Sequence, residues 1–157
     1  MQKTVLILDN IRSVENTASI FRTADCLGVS KIYLIGTTPC PIDRFGRKRK
    51  DFAKVALGAE EFVPWEYVKD IKDQISKLKS EGYKILALEQ HPHSKNLQTV
   101  NCKLQTNFAL IVGNEVDGVS EVALGLADEI VEIPMQGEKE SLNVSVATGI
   151  ALFSLLN

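Results

Sequence analysis

Ser141 and Asn143 stand at the start of a long apolar C-terminal run, behind a polar loop that contains Gly137. Short oxygen-bearing side chains at such a position accept hydrogen bonds from the orphan amides of a helix's first turn. The same amides, with the positive end of the helix dipole, suit an anionic or hydrogen-bonding ligand. A second group is Gly-Asn-Glu-Val-Asp-Gly at 113–118, with Glu115 between two glycines. Glycines there allow tight turning and close approach of backbone to a ligand. The bare pattern also reads as an ordinary strand-to-helix turn. It is neither a GxGxxG fingerprint nor a GxxxxGK(S/T) phosphate loop, which argues against common dinucleotide and nucleotide-triphosphate sites. A third group, Arg44, Arg47, Lys48, Arg49 and Lys50, places five cations in seven residues with no acid among them. It reads either as a solvated loop or as an arm that contacts a nucleic-acid backbone, with Phe45 available to stack on a base. Lys54 and Arg12 could extend that arm.

Other candidates are weaker. His91-Pro92-His93 with Cys102 suggests a metal, but Pro92 stiffens the pair and no fourth ligand is placed nearby, so a polar loop without metal is the better reading. Asp9 ends an apolar strand as a phosphoacceptor would, yet no acidic partner precedes it. Arg22, taken alone, is a solvated helix arginine.

The remaining composition is that of an ordinary globular chain. Its 157 residues suit one domain, and 18 basic against 20 acidic residues leave a net charge of −2, so any attraction to nucleic acid must be local. No apolar run approaches the roughly 20 residues of a membrane span. Three widely spaced cysteines, Cys26, Cys40 and Cys102, suggest reduced thiols in a cytoplasmic protein.

The elements that must position these groups alternate. Apolar runs predict strands at 4–8, 31–35, 61–63, 84–88, 108–112 and 130–133. Helices are predicted over 14–27 with Ser13 as N-cap, over one turn at 53–57 stopped by Gly58, from Trp65 to Leu78, over a short stretch after Ser120, and from 144 to the C-terminus. In the helix over 14–27, Arg22 falls opposite the inward stripe of Ile20, Ala24 and Leu27. The final helix is apolar almost all round, which predicts burial on two sides. Solid apolar strands alternating with helices predict an α/β domain, a mostly parallel sheet covered by helices on both faces. Ligands then sit beyond the carboxyl ends of the strands, at the loops after Leu8, Leu88, Val112 and Ile133.

Three of these stretches together resemble the signature motifs of the SpoU (TrmH-like) RNA 2'-O-ribose methyltransferases of the SPOUT class. Asn16-Thr-Ala-Ser-Ile-Phe-Arg22-Thr-Ala resembles the first, with Ala18 where that motif often has glycine. Residues 113–118 resemble the second, and Ile133-Pro134-Met135 followed by Ser141-Leu142-Asn143-Val144-Ser145 the third. The resemblance implies a C-terminal trefoil knot and an S-adenosylmethionine-dependent transfer of methyl to a ribose 2'-hydroxyl of tRNA or rRNA. It implies a homodimer, and a single domain over 1–157 with no appended RNA-binding domain. It also implies a catalytic group of Arg22, Asn16, Glu115, Ser141 and Asn143, with Asn16 and Glu115 holding Arg22. The cofactor would lie against Leu88, Gly113, Ile133, Met135, Leu142 and Asn143. Two rivals remain: a catalytically silent RNA-binding homodimer of the same fold, and a flavodoxin-like binder of a small ligand.

Overall fold

Seven strands lie in the order β3-β2-β1-β6-β4-β7-β5, and every neighbouring pair is parallel. The computed structural model describes residues 1–100 and 106–157, so Cys102 lies outside the described residues. The strands are β1 (Thr4–Asp9), β2 (Lys31–Ile35), β3 (Trp65–Val68), β4 (Lys84–Leu88), β5 (Lys95–Asn96), β6 (Phe108–Gly113) and β7 (Glu129–Glu132). The helices are α1 (Val14–Cys26), α2 (Lys50–Ala56), α3 (Ala59–Phe62), α4 (Ile71–Ser80), α5 (Glu121–Leu126) and α6 (Val144–Leu156).

The two central strands, β1 and β6, are buried along their whole length. Their solid apolar sequences follow from burial on both faces, because successive side chains point to opposite sides. Leu6, Leu8, Leu110 and Val112 face one side, where Ile20 and Phe21 of α1, Phe52 of α2 and Leu152 and Leu155 of α6 cover them. Val5, Ile7, Ala109 and Ile111 face the other, beneath Ile75 and Leu78 of α4 and Ala123 of α5. Phe21 and Phe52 meet edge to face, ring centres 5.2 Å apart, and so lock α2 onto α1. That contact anchors the C-terminal end of the basic loop.

Sequence periodicity misplaced one region. The strand predicted at 61–63 is instead the end of α3, and the helix predicted from Trp65 splits into β3 and α4. Trp65 and Val68 have helical spacing, but Pro64 disfavours helical backbone at the residue before it, and β2 offers pairing to Trp65 through Val68. The turn at 53–57 belongs to a longer helix that begins at Lys50. Leu57 rather than Gly58 ends it, in a left-handed conformation with φ 53°, and Gly58 opens α3. A two-residue strand, β5, lies in what reads as loop.

The final helix also departs from expectation. Thr148, Ala151, Leu152 and Leu155 are buried, but Val146, Ile150 and Phe153 stay 50%, 43% and 61% exposed. This chain therefore covers one side of α6 only. Among the described residues no helix is long and apolar enough to cross a membrane.

Truncating Phe52 to Ala should cost about 3–5 kcal/mol, the usual loss for a fully buried aromatic. Urea unfolding measures this, and a loss under about 1 kcal/mol would show that the α1–α2 lock is dispensable.

Candidate active site

The loops at the carboxyl ends of β1, β4, β6 and β7 meet at one end of the sheet. The loop after β6 is folded by its own side chain. Asn114 Oδ1 accepts from the amides of Val116 and Asp117, at 2.8 and 3.1 Å. Asn114 Nδ2 donates to the Asn10 carbonyl at 2.7 Å, tying this loop to the one after β1. A Cβ on Gly113 would run into the backbone of Gly118 and Val119, so only glycine allows the turn. Below it, buried Asp9 accepts from the Ser120 amide at 2.9 Å. Asp9 is thus a structural acceptor rather than a phosphoacceptor.

Glu115 is the hub. Its carboxylate accepts from the Arg12 amide at 3.0 Å, the Ser13 amide at 3.2 Å and Asn16 Nδ2 at 3.2 Å. Asn16 Oδ1 accepts in turn from Asn143 Nδ2 at 3.1 Å. Asn143 caps α6, its Oδ1 taking the Ser145 amide at 2.9 Å. All three resemblance motifs therefore join in one chain of hydrogen bonds, Glu115–Asn16–Asn143. Burial pushes the Glu115 carboxyl up, but the Arg12 amide, the Asn16 carboxamide and the Ser13 amide outweigh it and hold the group below its ordinary value.

Between the loop after β6 and the loop from Ile133 to Asn143 lies an open cleft of about 440 Å³. Leu88, Gly113, Ile133, Met135, Leu142 and Asn143, read from sequence as one binding group, all line it. Ser141 and Glu115 line it too. Sequence reasoning missed Glu89, Gln90 and Glu132, which also border the cleft. Their only signal was position, one or two residues past the end of β4 or at the end of β7.

Arg22 is elsewhere. It is exposed on the outer face of α1, away from the cleft lining, and among the described residues it has no hydrogen bond or ion pair. Within one chain Asn16 and Glu115 do not hold Arg22: six residues along α1 separate Asn16 from Arg22, about 9 Å of helix, and Glu115 bonds Arg12, Ser13 and Asn16 at the entry to α1. Thr23, the next residue, packs toward Gly149 of α6.

The basic loop is less basic in space than in sequence. Arg47 pairs with Asp43 at 3.0 Å, Lys48 with Glu61 at 2.8 Å and Arg49 with Asp51 at 2.9 Å. Arg12 reaches Asp117 at 3.5 Å. Arg44, Lys50 and Lys54 have no ion pair among the described residues. Phe45 is 67% exposed, with the Arg44 and Arg47 guanidinium groups 4.8 and 5.0 Å from its ring centre. His91 Nδ1 accepts from the His93 amide at 3.1 Å, a loop-closing bond. Among the described residues no group of three His, Cys, Asp or Glu could hold a metal.

The profile of the SpoU rRNA Methylase family matches residues 3–153. This chain belongs to the SpoU family. A tRNA (guanosine(18)-2'-O)-methyltransferase of Borreliella burgdorferi is 34% identical over 96% of the chain and 64% of its own length. A 23S rRNA (guanosine-2'-O-)-methyltransferase RlmB of Neisseria meningitidis is also 34% identical, over 94% of the chain and 56% of its own length. The chain thus spans under two thirds of these curated relatives. The crystal structure of an AdoMet-bound rRNA methyltransferase from Sinorhizobium meliloti superposes with a TM-score of 0.87 at 29% identity, covering 98% of this chain and 55% of that one.

A carboxyl held low when folded stabilises the fold above its unfolded value, and that contribution disappears as pH falls through the folded one. Glu115→Gln should therefore be less stable than the parent at pH 7. The gap should narrow as pH drops below about 4.3, the ordinary glutamate value. Thermal midpoints of both proteins across pH 3–7 test this on the scale where carboxylates titrate; a gap independent of pH would remove the charge of Glu115 from the hub.

Proposed function

We propose that the chain is an S-adenosylmethionine-dependent methyltransferase acting on a ribose 2'-hydroxyl of tRNA or rRNA. The observation that carries this reading is the cleft whose two walls are the second and third signature motifs, braced together through the first. Family membership supports it, as does the AdoMet bound by a relative of the same fold.

The cleft suits an adenosyl sulfonium. Leu88, Val112, Ile133 and Leu142 offer apolar flanks for a purine, and Glu115 and Glu132 place carboxylates near a cation. Such a donor supplies an electrophilic methyl on a positively charged sulfur, so the protein needs chiefly to orient the reactants. The loop after β6 and the α6 cap do this by fixing backbone around the cleft. Ser141, exposed and without a hydrogen-bond partner among the described residues, is free to meet a substrate hydroxyl or phosphate.

Arg22 then acts from a second copy. A guanidinium stays protonated far above neutral pH, so its part is to stabilise the developing alkoxide and grip an adjacent phosphate; the O–CH3 bond forms as the S–CH3 bond breaks, S-adenosylhomocysteine leaves, and the hydroxyl proton passes to water. The exposed stripe Val146, Ile150 and Phe153 on α6, continuous with Leu142 at the cleft edge, is the face a second copy would cover. Arg22, next to the Thr23 that packs on α6, would reach the partner's cleft. Arg44, Lys50 and Lys54, with Phe45, would contact RNA, and the paired Arg47, Lys48, Arg49 and Arg12 could exchange their acidic partners for phosphates. The tail after β7, which turns back to pack α6 against α1 and β6, would be the knotted segment.

Arg22→Ala should leave donor binding intact and abolish methyl incorporation into RNA, falling at least 100-fold as expected for loss of a charge-stabilising group. Near-normal turnover would remove Arg22 from catalysis. A chain that binds RNA but gives no calorimetric signal with S-adenosylmethionine would be the silent RNA-binding form instead. Ile150→Asp should convert a dimer to monomer in sedimentation and lower activity without unfolding the chain; unchanged sedimentation would move the interface elsewhere.

A further inference from the structure

The two walls of the cleft are tied at one end by Glu115, Asn16 and Asn143. A second tie stands at the other end, made by two adjacent residues outside all three motifs. Glu89 Oε2 accepts from the Val119 amide at 2.8 Å, and its Oε1 accepts from the Gln90 amide at 3.1 Å. Gln90 Nε2 donates to the Glu140 carbonyl at 2.8 Å, fifty residues away on the opposite wall. The structure also makes room for this tie. A Cβ on Gly118, where φ is +73°, would run into the Glu89 carboxylate. Gly118 thus serves both the turn and the seat of Glu89.

We propose that Glu89 and Gln90 are positioning residues that set the width of the donor cleft, resting on the methyltransferase reading above. Glu89 fixes the wall after β6 and Gln90 fixes the wall before α6. Both are held by the end of β4, a central strand buried at Ile85, Leu86 and Ala87. The first tie depends on α1 and on the α6 cap, elements that also face a second copy. The second depends on neither, so the cleft keeps one end fixed while the other answers to dimer and RNA. The tie acts on ground-state binding of the donor rather than on the transfer step, because the bonds of both side chains go to backbone of the cleft walls.

The test uses the full chain and S-adenosylhomocysteine as calorimetric probe. Gln90→Ala removes one exposed donor and should not perturb folding. Glu89→Gln keeps the shape but offers one oxygen where two amides now bond. Each should raise the dissociation constant of the probe roughly three- to tenfold, the worth of one net hydrogen bond. KM for S-adenosylmethionine, measured on bulk tRNA or rRNA, should rise in the same proportion. In the ligand-free chain, Glu89→Gln should speed hydrogen exchange at the Val119 amide and leave the α6 cap amides as they are. Parent-like affinity in both variants, beside a parent that binds, would overturn the second tie alone. Lost turnover with unchanged affinity would also overturn it, by moving these residues into the chemical step. A parent chain that fails to bind the probe would overturn the methyl-donor reading and this inference with it.

Discussion

The site depends on one carboxylate that is never allowed to be lonely. Glu115 sits at the tip of a loop closed by Asn114, and three N–H donors at and just before the start of α1 converge on it. Two of those are the backbone amides of Arg12 and of Ser13, the N-cap of the helix. One charge therefore solves two problems: it holds the entry to α1 and it pins the loop after β6. Asn16 passes the restraint to Asn143, and Asn143 caps α6. Remove the carboxylate and three segments from distant parts of the sequence lose their common reference point.

Much of this was legible in the sequence. Solid apolar runs at β1, β4 and β6 announced a parallel sheet, and Ser13, Ser120 and Asn143 announced helix starts at the positions the structure gives them. The six residues expected around the cofactor do border one cleft. What escaped was anything decided by pairing or by distance in space. Trp65 and Val68 read as helix because their spacing is helical, and only the open edge of β2 makes them a strand. Five cations in a row of seven read as a strong positive patch, and three are neutralised by Asp43, Asp51 and Glu61. Two of those acids lie within a few residues of the loop, but Glu61 arrives through the packing of α3. Glu89 carried no signal beyond its place just after β4, since its partner amide is thirty residues on.

Arg22 shows a different limit. Its place on the outward face of α1 follows from helical geometry, and the structure keeps it there. Periodicity can say that a side chain points away from its own core. It cannot say what the side chain points toward. The uncovered stripe on α6 has the same character: a run apolar on every side signals more burial than one chain supplies.

The pairing of β1 with β6 has a consequence for how the molecule comes into being. Thr4 lies opposite Phe108, so the middle of the sheet joins segments more than a hundred positions apart. During synthesis the first strand emerges long before its second neighbour exists, and its buried edge must wait. Distant pairings of this kind close slowly, because chain entropy is lost before contacts repay it. The Glu115 hub lies just beyond that last central strand, so the pocket cannot begin to assemble until most of the chain has left the ribosome.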